Sequence, residues 1–512
     1  MSIQKSILPD VYIPDDLSFS QFFFQNFDKF ANNVATVDAL TGAKIIFKDF
    51  RQYCRNVASA LTKRNYVKGD VVCLLGPNSP DYCIAFHGLL AAGYVVTPIN
   101  PQYTPNECTH QLKDSGAKLI IASGYLADKV KEIVDGLKQI NEVYLFGDAV
   151  GDFKSFDELK NDDCSAFPDD LVINPKEDLA VIPYSSGTTG LPKGVMLTHH
   201  NLIANICQMT LDHLLKFTPE DAVMAVLPFF HIYGMVVIMS IAIFQGARIV
   251  IFPKFDPKAF LEAIQNFKIT ILPLVPPLIL FLAKHPLVDK FDLSSVKEIY
   301  SGAAPLGADQ AKEVCERLNI KMLRQGHGHS GTLIPNSESK IIDVDTGALL
   351  PIGQDGEVCV RGPQVMKGYF NNVKATSETI DADGFLHTGD IGHINEDHLI
   401  YITDRLKELI KCKGFQVPPA QLESILLTHP KIQDCAVIGK PDERSGEVPK
   451  AFVVLRANTE CTEDEVADFL KGKVAHFKQL AAVEFIKEIP KSASGKILRR
   501  VLKQREIDAA NN

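Results

Sequence analysis

The sequence predicts an α/β protein with a large N-terminal domain of layered β-sheets and helices and a small α+β C-terminal domain. Its 512 residues exceed the ~250–300 residues at which a single hydrophobic core stops growing, so at least two domains are expected. Residues 70–75, 81–92 and 94–99 read in turn as strand, helix and strand. This alternation is typical of layered α/β architecture.

The domain boundary is predicted at residues 403–407, a charged stretch between two apolar runs. We therefore expect an N-terminal domain over residues 1–403 and a C-terminal domain over residues 404–512. After the boundary the pattern changes to short elements: a helix from Pro419, strands near 435–438 and 451–455, and a helix opened by Thr462. Thr462 and Glu465 have the spacing of a capping box.

Composition and charge exclude several classes of protein. With 46% hydrophobic and 22% charged residues, the chain has the composition of an ordinary globular protein. A net charge of -9 argues against a nucleic-acid-binding surface as the main function. The longest apolar runs, residues 235–244 and 269–283, are shorter than the ~20 residues of a membrane helix. Neither a nucleic-acid partner nor a transmembrane segment is expected.

The eleven cysteines are scattered without the paired spacing of a metal site, so we expect reduced thiols and no metal centre of His and Cys ligands. Residues 1–16 lack the pattern of a secretory signal, and residues 509–512 are not a peroxisomal tripeptide. These features together predict a cytoplasmic location.

The strongest chemical signal is Ser-Ser-Gly-Thr-Thr-Gly-Leu-Pro-Lys-Gly at residues 185–194, placed between two apolar runs. Glycines let the backbone approach an anion, hydroxyls and amides can donate to phosphate oxygens, and Lys193 adds a positive charge. The segment is not a Walker A loop, because Lys193 is followed by Gly194 and not by Ser or Thr. A flexible linker is the alternative, but a Pro-Lys-Gly sequence between apolar strands does not favour it.

This loop resembles the phosphate-binding signature of the adenylate-forming superfamily, which includes acyl-CoA synthetases, 4-coumarate-CoA ligases and firefly luciferase. Four further segments resemble the motifs of this family in the same order: residues 228–234, 301–306, 383–390 and 490–496. Residues 227–231 and 411–417 are most similar to the 4-coumarate-CoA ligase-like group. The resemblance implies an ATP-dependent ligase that activates an aromatic or fatty carboxylic acid as an acyl-adenylate and then forms its coenzyme A thioester.

The resemblance also implies roles for individual residues in the first half-reaction. Asp390 and Arg405 would bind the ribose hydroxyls, and Lys496 would bridge the acyl carboxylate and the α-phosphate. Mg²⁺ would share the charge of the phosphates. The remaining contacts to ATP or AMP would come from Ser185, Ser186, Gly187, Thr188, Thr189, Lys193, Gln325 and Gly326.

For the second half-reaction, the family rotates a mobile C-terminal domain to present another face to the acyl-adenylate. By resemblance Lys407 would be the hinge and Lys411 would replace Lys496 at the active site. The other expected contacts are Lys254, Lys413 and Gly414 for coenzyme A, and His231, Tyr233, Ala303 and residues 275–278 for the acyl pocket.

Residues 325–336 depart from the family pattern. Relatives show Gln-Gly-Tyr-Gly-x-Thr-Glu and then a further segment before Gly-Thr-Leu, whereas this chain passes from Gly326 to Gly331 within a few residues. Aligned from the left, His327 replaces the tyrosine that stacks on adenine, Ser330 the threonine, and Gly331 the glutamate. Aligned from the right, which we prefer, all three are absent. In either alignment no carboxylate stands where the family places its Mg²⁺-associated glutamate.

Three explanations of this gap are open, in this order: a sequence that lacks an internal segment, an enzyme of weakened activity, and a homologue that only binds nucleotide or acid. The acid:CoA ligase is the first hypothesis, because Lys496, Asp390 and Arg405 are retained. A noncatalytic binding protein and a luciferase-like oxidation of the adenylate are the alternatives.

Overall fold

The computed structural model describes residues 3–185, 192–211, 214–302, 306–326, 331–406, 408–412, 415–442, 445–474, 476–491 and 497–510. Within them the strands are β1 (Gln4–Lys5), β2 (Val34–Asp38), β3 (Lys44–Ile46), β4 (Val71–Leu75), β5 (Val95–Ile99), β6 (Leu119–Ser123), β7 (Glu142–Phe146), β8 (Lys154–Ser155), β9 (Leu179–Val181), β10 (Tyr184–Ser185), β11 (Lys193–Thr198), β12 (Ala222–Ala225), β13 (Arg248–Ile251), β14 (Ile271–Leu274), β15 (Glu298–Gly302), β16 (Met322–Gly326), β17 (Gly331–Thr332), β18 (Glu338–Ile342), β19 (Gly356–Arg361), β20 (Gly368–Tyr369), β21 (Leu386–Ile394), β22 (Leu399–Arg405), β23 (Ile410–Cys412), β24 (Phe415–Val417), β25 (Ile432–Asp442), β26 (Gly446–Leu455) and β27 (Ala482–Phe485).

The helices of the same residues are α1 (Phe19–Phe24), α2 (Phe47–Lys63), α3 (Pro80–Ala91), α4 (Pro105–Ser115), α5 (Ala127–Val134), α6 (Asp157–Lys160), α7 (His199–Met209), α8 (Pro257–Phe267), α9 (Pro276–Lys284), α10 (Ala308–Leu318), α11 (Val373–Thr379), α12 (Pro419–Leu426), α13 (Glu463–Asp468) and α14 (Arg499–Ala510). Short 3₁₀ helices span Phe27–Phe30, Gly124–Leu126, Pro286–Lys290 and His476–Lys478, and a π-helix spans Tyr233–Ala242. Among these helices, none has both the length and the apolar character needed to cross a membrane.

Two largely parallel sheets form the main body of the N-terminal part. One has nine strands in the order β10-β11-β9-β5-β4-β6-β7-β8, with β20 paired to β11, and the other has seven in the order β16-β15-β14-β12-β13-β2-β3. On β4, Val72 and Leu74 pack into a core shared with α2, α3 and the seven-stranded sheet. Val71, Cys73 and Leu75 face a second core with α4 and α5. Both faces of the strand are buried, which explains its continuous apolar run.

A third sheet is antiparallel, with six strands in the order β1-β18-β19-β21-β22-β17. The chain enters it from the seven-stranded sheet in four residues, because β16 ends at Gly326 and β17 begins at Gly331. Five peptide steps span at most ~18 Å, so the end of β16 and the start of β17 lie close together.

The C-terminal sheet has five strands in the order β24-β23-β26-β25, with β27 paired to β26. Strand β22 of the third sheet ends at Arg405 and β23 of this sheet begins at Ile410. The predicted boundary after Thr403 therefore falls inside β22, two residues before its end. The division into residues 1–403 and 404–512 remains a prediction.

Several local predictions are confirmed. Helix α3 and strands β4 and β5 match the expected segments to within one residue at each end. Helix α12 begins at Pro419 as expected, and β25 and β26 contain their expected segments. None of the eleven cysteines forms a disulfide in the structure, and their reduced state remains a prediction. One prediction is half right: Thr462 caps α13 by accepting the Glu465 amide, but the Glu465 carboxylate binds Lys431 at 2.7 Å in place of closing the capping box.

Candidate functional site

Several of the segments predicted to bind substrate follow parallel strands of the seven-stranded sheet at their carboxyl ends. The motif at residues 228–234 follows β12, residues 275–278 follow β14, residues 303–306 follow β15, and residues 327–330 follow β16. Strands β12, β14, β15 and β16 are adjacent and parallel, so their carboxyl ends lie at one edge of the sheet. Such an edge is where open α/β sheets bind ligands. Ala303 and His327 to Ser330 lie outside the described residues.

Tyr233 lies at this edge and is held there from both ends. Its hydroxyl donates to the carbonyl oxygen of Tyr300 at 3.1 Å, and its amide donates to Nδ1 of His231 at 3.3 Å. Burial raises the pKa of the Tyr233 hydroxyl, so this group stays a neutral donor. A Cβ atom added to Gly302 would lie 2.6 Å from Cε1 of Tyr233, so the ring packs directly on the end of β15.

Gln325 and Gly326, predicted to contact the nucleotide, lie at the end of β16, the strand next to β15. Gly302 pairs with Gly326 and Ser301 with Gln325 in the parallel ladder. The side-chain amide of Gln325 donates to the carbonyl oxygen of Leu306 at 3.2 Å. The structure therefore brings the predicted acyl-pocket and nucleotide residues of this sheet together.

Asn78 is a site residue that the sequence reasoning missed. It is buried in the turn between β4 and α3, and its Nδ2 donates to the carbonyl oxygens of Ala225 and Leu227 at 3.1 and 2.8 Å. Its Oδ1 accepts the amide of Phe229 at 2.8 Å. Asn78 thus fixes the chain that leads from β12 to His231, although it belongs to the other large sheet. The Gly-Pro-Asn-Ser turn at residues 76–79 was the available signal, because Asn in a turn often bonds to backbone.

The predicted phosphate loop is described at its two ends. Ser185 on β10 pairs with Lys193 on β11, so the loop is closed at its base by an antiparallel pair. Nζ of Lys193 lies 5.2 Å from the centre of the Tyr369 ring, at cation–π distance. Ser186, Gly187, Thr188 and Thr189 lie outside the described residues.

Asp390 and Arg405 are neighbours on the third sheet. They are directly opposite each other on β21 and β22, and Nε of Arg405 lies 3.0 Å from Oδ1 of Asp390. The Asp390 side chain is 4% exposed and that of Arg405 is 47% exposed. A buried carboxylate beside a half-exposed guanidinium offers an acceptor and a donor of the kind that a diol needs.

Most of the residues for which the resemblance implies a role in catalysis, at the hinge or at coenzyme A lie outside the described part of the chain. This holds for Lys496, Lys407, Lys413 and Gly414 and for the side chain of Lys411, whose backbone lies in β23. The loop that carries Lys496 is closed by a bridge between Lys491 and Ile497. Lys254 is exposed in the turn after β13.

Arg499, at the start of α14, connects this loop region to the hinge region. Its guanidinium contacts Glu408 at 2.6 Å and Glu423 at 2.8 Å, and the Glu423 side chain is buried. Burial raises the pKa of Glu423, while Arg499 acts in the opposite direction. The ion pairs join α14 to the segment that follows Lys407.

Two groups among the described residues place possible metal ligands within 4.8 Å of one another: Glu357, Cys359 and His387, and His429, Cys461 and Glu465. In the second group, the ammonium group of Lys431 already binds the Glu465 carboxylate. The backbone amide of Lys431 donates to Nδ1 of His429 at 3.2 Å. That tautomer leaves the proton on Nε2, which is unfavourable for metal binding. In the first group, both carboxylate oxygens of Glu357 are already hydrogen-bonded, one to His387 and the other to the amide of Gly389.

Comparison with known proteins gives family matches over most of the chain. The model of the AMP-binding enzyme family matches residues 23–330 and 322–370, and that of the AMP-binding enzyme C-terminal domain matches residues 421–496. The family match is thus divided into two pieces, which overlap at residues 322–330 of this chain. This overlap coincides with the predicted gap.

A curated relative of similar length is 4-coumarate–CoA ligase 1 of Petroselinum crispum, 43% identical over 529 aligned positions that cover 98% of this chain and 96% of the relative. The 529 positions exceed the 512 residues of this chain by 17, so the relative carries at least that many additional residues.

Solved structures of similar fold include ATP-bound MatB from Rhodopseudomonas palustris, with a TM-score of 0.86 and 28% identity over 96% of this chain and 100% of that one. Another is the anthranilate CoA ligase AuaEII in complex with anthranoyl-AMP, with a TM-score of 0.88 and 25% identity over 98% of this chain and 99% of that one.

Proposed function

Because this chain belongs to the AMP-binding enzyme family and is an acid:CoA ligase that acts through an acyl-adenylate, we propose that its acid is 4-coumarate or a closely similar aromatic acid. The observation that carries the proposal is the 43% identity to a 4-coumarate–CoA ligase over 98% of the chain. The partly buried Tyr233 ring, which packs on the end of β15, supports it, since an aromatic wall suits an aromatic acid.

In the first half-reaction, a carboxylate oxygen of the acid attacks the α-phosphorus of ATP and pyrophosphate leaves. Ser185, Lys193 and the loop between them would hold the phosphates, while Asp390 and Arg405 would hold the ribose. Negative charge gathers at the α-phosphate during the attack, and we assign Lys496 to stabilise it.

In the second half-reaction, the sulfur of coenzyme A attacks the acyl carbonyl, the C–S bond forms, and AMP leaves as the thiol proton passes to solvent. Lys411 would take the place of Lys496, with Lys407 as the hinge and Lys254, Lys413 and Gly414 at coenzyme A. Domain closure of this kind assembles two sites in sequence.

Mg²⁺ would enter with ATP and neutralise charge on its phosphates. Residues 325–336 contain no carboxylate, so this segment does not fit the metal position of the family. Ser330 and Thr332 are the hydroxyls that it retains.

The test is acid-dependent release of pyrophosphate by the full chain with Mg²⁺-ATP, measured with 4-coumarate and with a long-chain fatty acid, with and without coenzyme A. We expect release with 4-coumarate and a loss of about 10²–10³-fold in Lys496→Ala, the range seen when one preorganised donor is removed. Lys471→Ala is the matched control, because Lys471 is an exposed lysine of the same domain.

Equal release by Lys496→Ala and the unsubstituted chain would overturn the role of that lysine. Release that depends on the fatty acid and not on 4-coumarate would overturn the aromatic substrate.

A further inference from the structure

The turn that carries Asp390 lies in a bulge of the third sheet. Glu357 on β19 pairs with Ile391 on β21, but Cys359 pairs with His387, so β21 has two more residues than β19 between the two pairs. The residues in the bulge, Thr388 to Asp390, lack ladder partners on β19. Bulges re-aim side chains and leave backbone groups that need other partners.

Side chains accept hydrogen bonds from two of the backbone amides in this bulge, those of Gly389 and Asp390. Oγ1 of Thr388 accepts the amide of Asp390 at 3.0 Å and donates to the carbonyl oxygen of Val358 at 2.7 Å. Oε1 of Glu357 accepts the amide of Gly389 at 3.1 Å. Gly389 has φ +70°, in the left-handed region, so this hydrogen bond fixes a conformation that glycine adopts at little cost.

The other oxygen of Glu357 binds His387. Its Oε2 lies 2.9 Å from Nδ1 of His387, one residue before Thr388. An ionised carboxylate only accepts hydrogen bonds, so Nδ1 of His387 carries the proton. One buried carboxylate thus holds both the start and the middle of the turn.

On the side of the turn opposite β19, residues at the end of β22 also hold Gly389 and Asp390 in place. The amide of Leu406 donates to the carbonyl oxygen of Gly389 at 2.8 Å, and Arg405 pairs with the Asp390 carboxylate. The direction of the Asp390 side chain is therefore set by the Gly389 backbone, which Glu357 holds from the β19 side.

We propose that Glu357 is a positioning residue for nucleotide binding: it holds the Thr388–Gly389 turn so that the Asp390 carboxylate faces the ribose hydroxyls. This inference rests on the proposed role of Asp390. Glu357 itself does not touch the nucleotide, so its effect passes through the backbone of the turn.

The experiment compares ATP with 2′-deoxy-ATP as substrates for pyrophosphate release, because the ratio of their kcat/KM values reports the contact to the ribose hydroxyl. This ratio does not depend on the fraction of folded enzyme. In Glu357→Gln the amide can accept only one of the two hydrogen bonds, and its NH₂ group faces a donor. We expect kcat/KM for ATP to fall about ten-fold, through KM more than kcat, and the preference for ATP to fall with it.

Asp355→Asn is the matched control. Asp355 forms a carboxylate–imidazole pair with His393 of β21, with Oδ1 and Nδ1 2.8 Å apart, but it does not bind the Gly389 turn. We expect this variant to keep the preference for ATP. Glu357→Asp, which keeps the charge, should recover part of the preference.

Asp390→Asn tests the role of Asp390 at the ribose separately from the role of Glu357. If it lowers the preference for ATP and Glu357→Gln does not, the role of Glu357 is overturned and that of Asp390 stands. If Asp390→Asn leaves the preference unchanged, the ribose assignment fails and the inference about Glu357 fails with it.

Discussion

His87 on α3 is buried among aromatic rings. Its ring stacks on Phe23 at 4.0 Å between centroids, with Phe19 and Phe50 within 6 Å. Neither ring nitrogen has a hydrogen-bond partner among the described residues. Burial lowers the pKa of His87 to about 3. The imidazole is therefore neutral in the folded protein and acts as part of the aromatic core.

This pKa makes stability depend on pH. In the unfolded chain the imidazole has a pKa of about 6.5, so below that pH the unfolded state binds a proton that the folded state does not. The free energy of unfolding should fall as pH drops from 6.5, and the contribution of His87 is about 1.5 kcal/mol between pH 6.5 and 5. Denaturant unfolding of the full chain and of His87→Phe at both pH values measures it.

Between pH 6.5 and 5, the free energy of unfolding should fall by about 1.5 kcal/mol less in His87→Phe than in the unsubstituted chain. The surface variant His476→Asn serves as the control and should behave like the unsubstituted chain. An equal loss in His87→Phe and the unsubstituted chain would contradict the prediction.

The connection between the two large sheets depends on the turn that follows β4. Asn78 in this turn makes three hydrogen bonds to residues 225–229, and they fix the segment that leads to His231, a residue proposed for the acyl pocket. The next residue, Ser79, caps α3 by accepting the amide of Tyr82 at 3.0 Å. Asn78 therefore links the two large sheets, whereas Ser79 stabilises the start of α3.

Asn78→Asp should destabilise the protein and weaken acid binding. The new carboxylate would face two carbonyl oxygens in a buried place, at a cost of about 3 kcal/mol or more. We expect KM for the acid to rise more than KM for ATP in steady-state assays. Ser79→Ala should lose about 1 kcal/mol of stability and leave KM for the acid unchanged. Equal effects of the two variants on acid binding would show that Asn78 acts only through general stability.

At the scale of the whole molecule, only four residues separate β16 of the seven-stranded sheet from β17 of the third sheet. The ladder of the seven-stranded sheet is kept up to Gly326 and the third sheet begins at Gly331. The aligned relative has at least 17 more residues than this chain can match. Both sheets therefore form although the passage between them lacks the family tyrosine, threonine and glutamate.

Replacing residues 327–330 by the corresponding segment of a 4-coumarate–CoA ligase should raise the rate of pyrophosphate release by about 10² or more, because each preorganised group of an active site contributes on this scale. A Gly/Ser segment of the same length is the control and should give no increase. If the restored segment gives no increase either, the gap does not limit adenylation.

Much of the fold and the site could be predicted from local patterns. The succession of strand-like and helix-like segments identified β4 and β5, proline at the start identified α12, and the order of five motifs identified the family. These signals lie within a few neighbouring residues, where backbone preference and turn chemistry act directly. They also predicted a shared role for Asp390 and Arg405, which are neighbours in the structure; that they bind the ribose stays a proposal.

Only the tertiary structure decided which distant residues support the site. Asn78 binds Phe229 across 151 positions, and Glu357 binds the Gly389 amide across 32. The bulge in β21 depends on the register between two strands, and register is set by packing and pairing along the whole sheet. The sequence by itself determined the family and the local elements and carries the proposed chemistry of the site, whereas the positions of the supporting side chains follow from long-range contacts that no local pattern encodes.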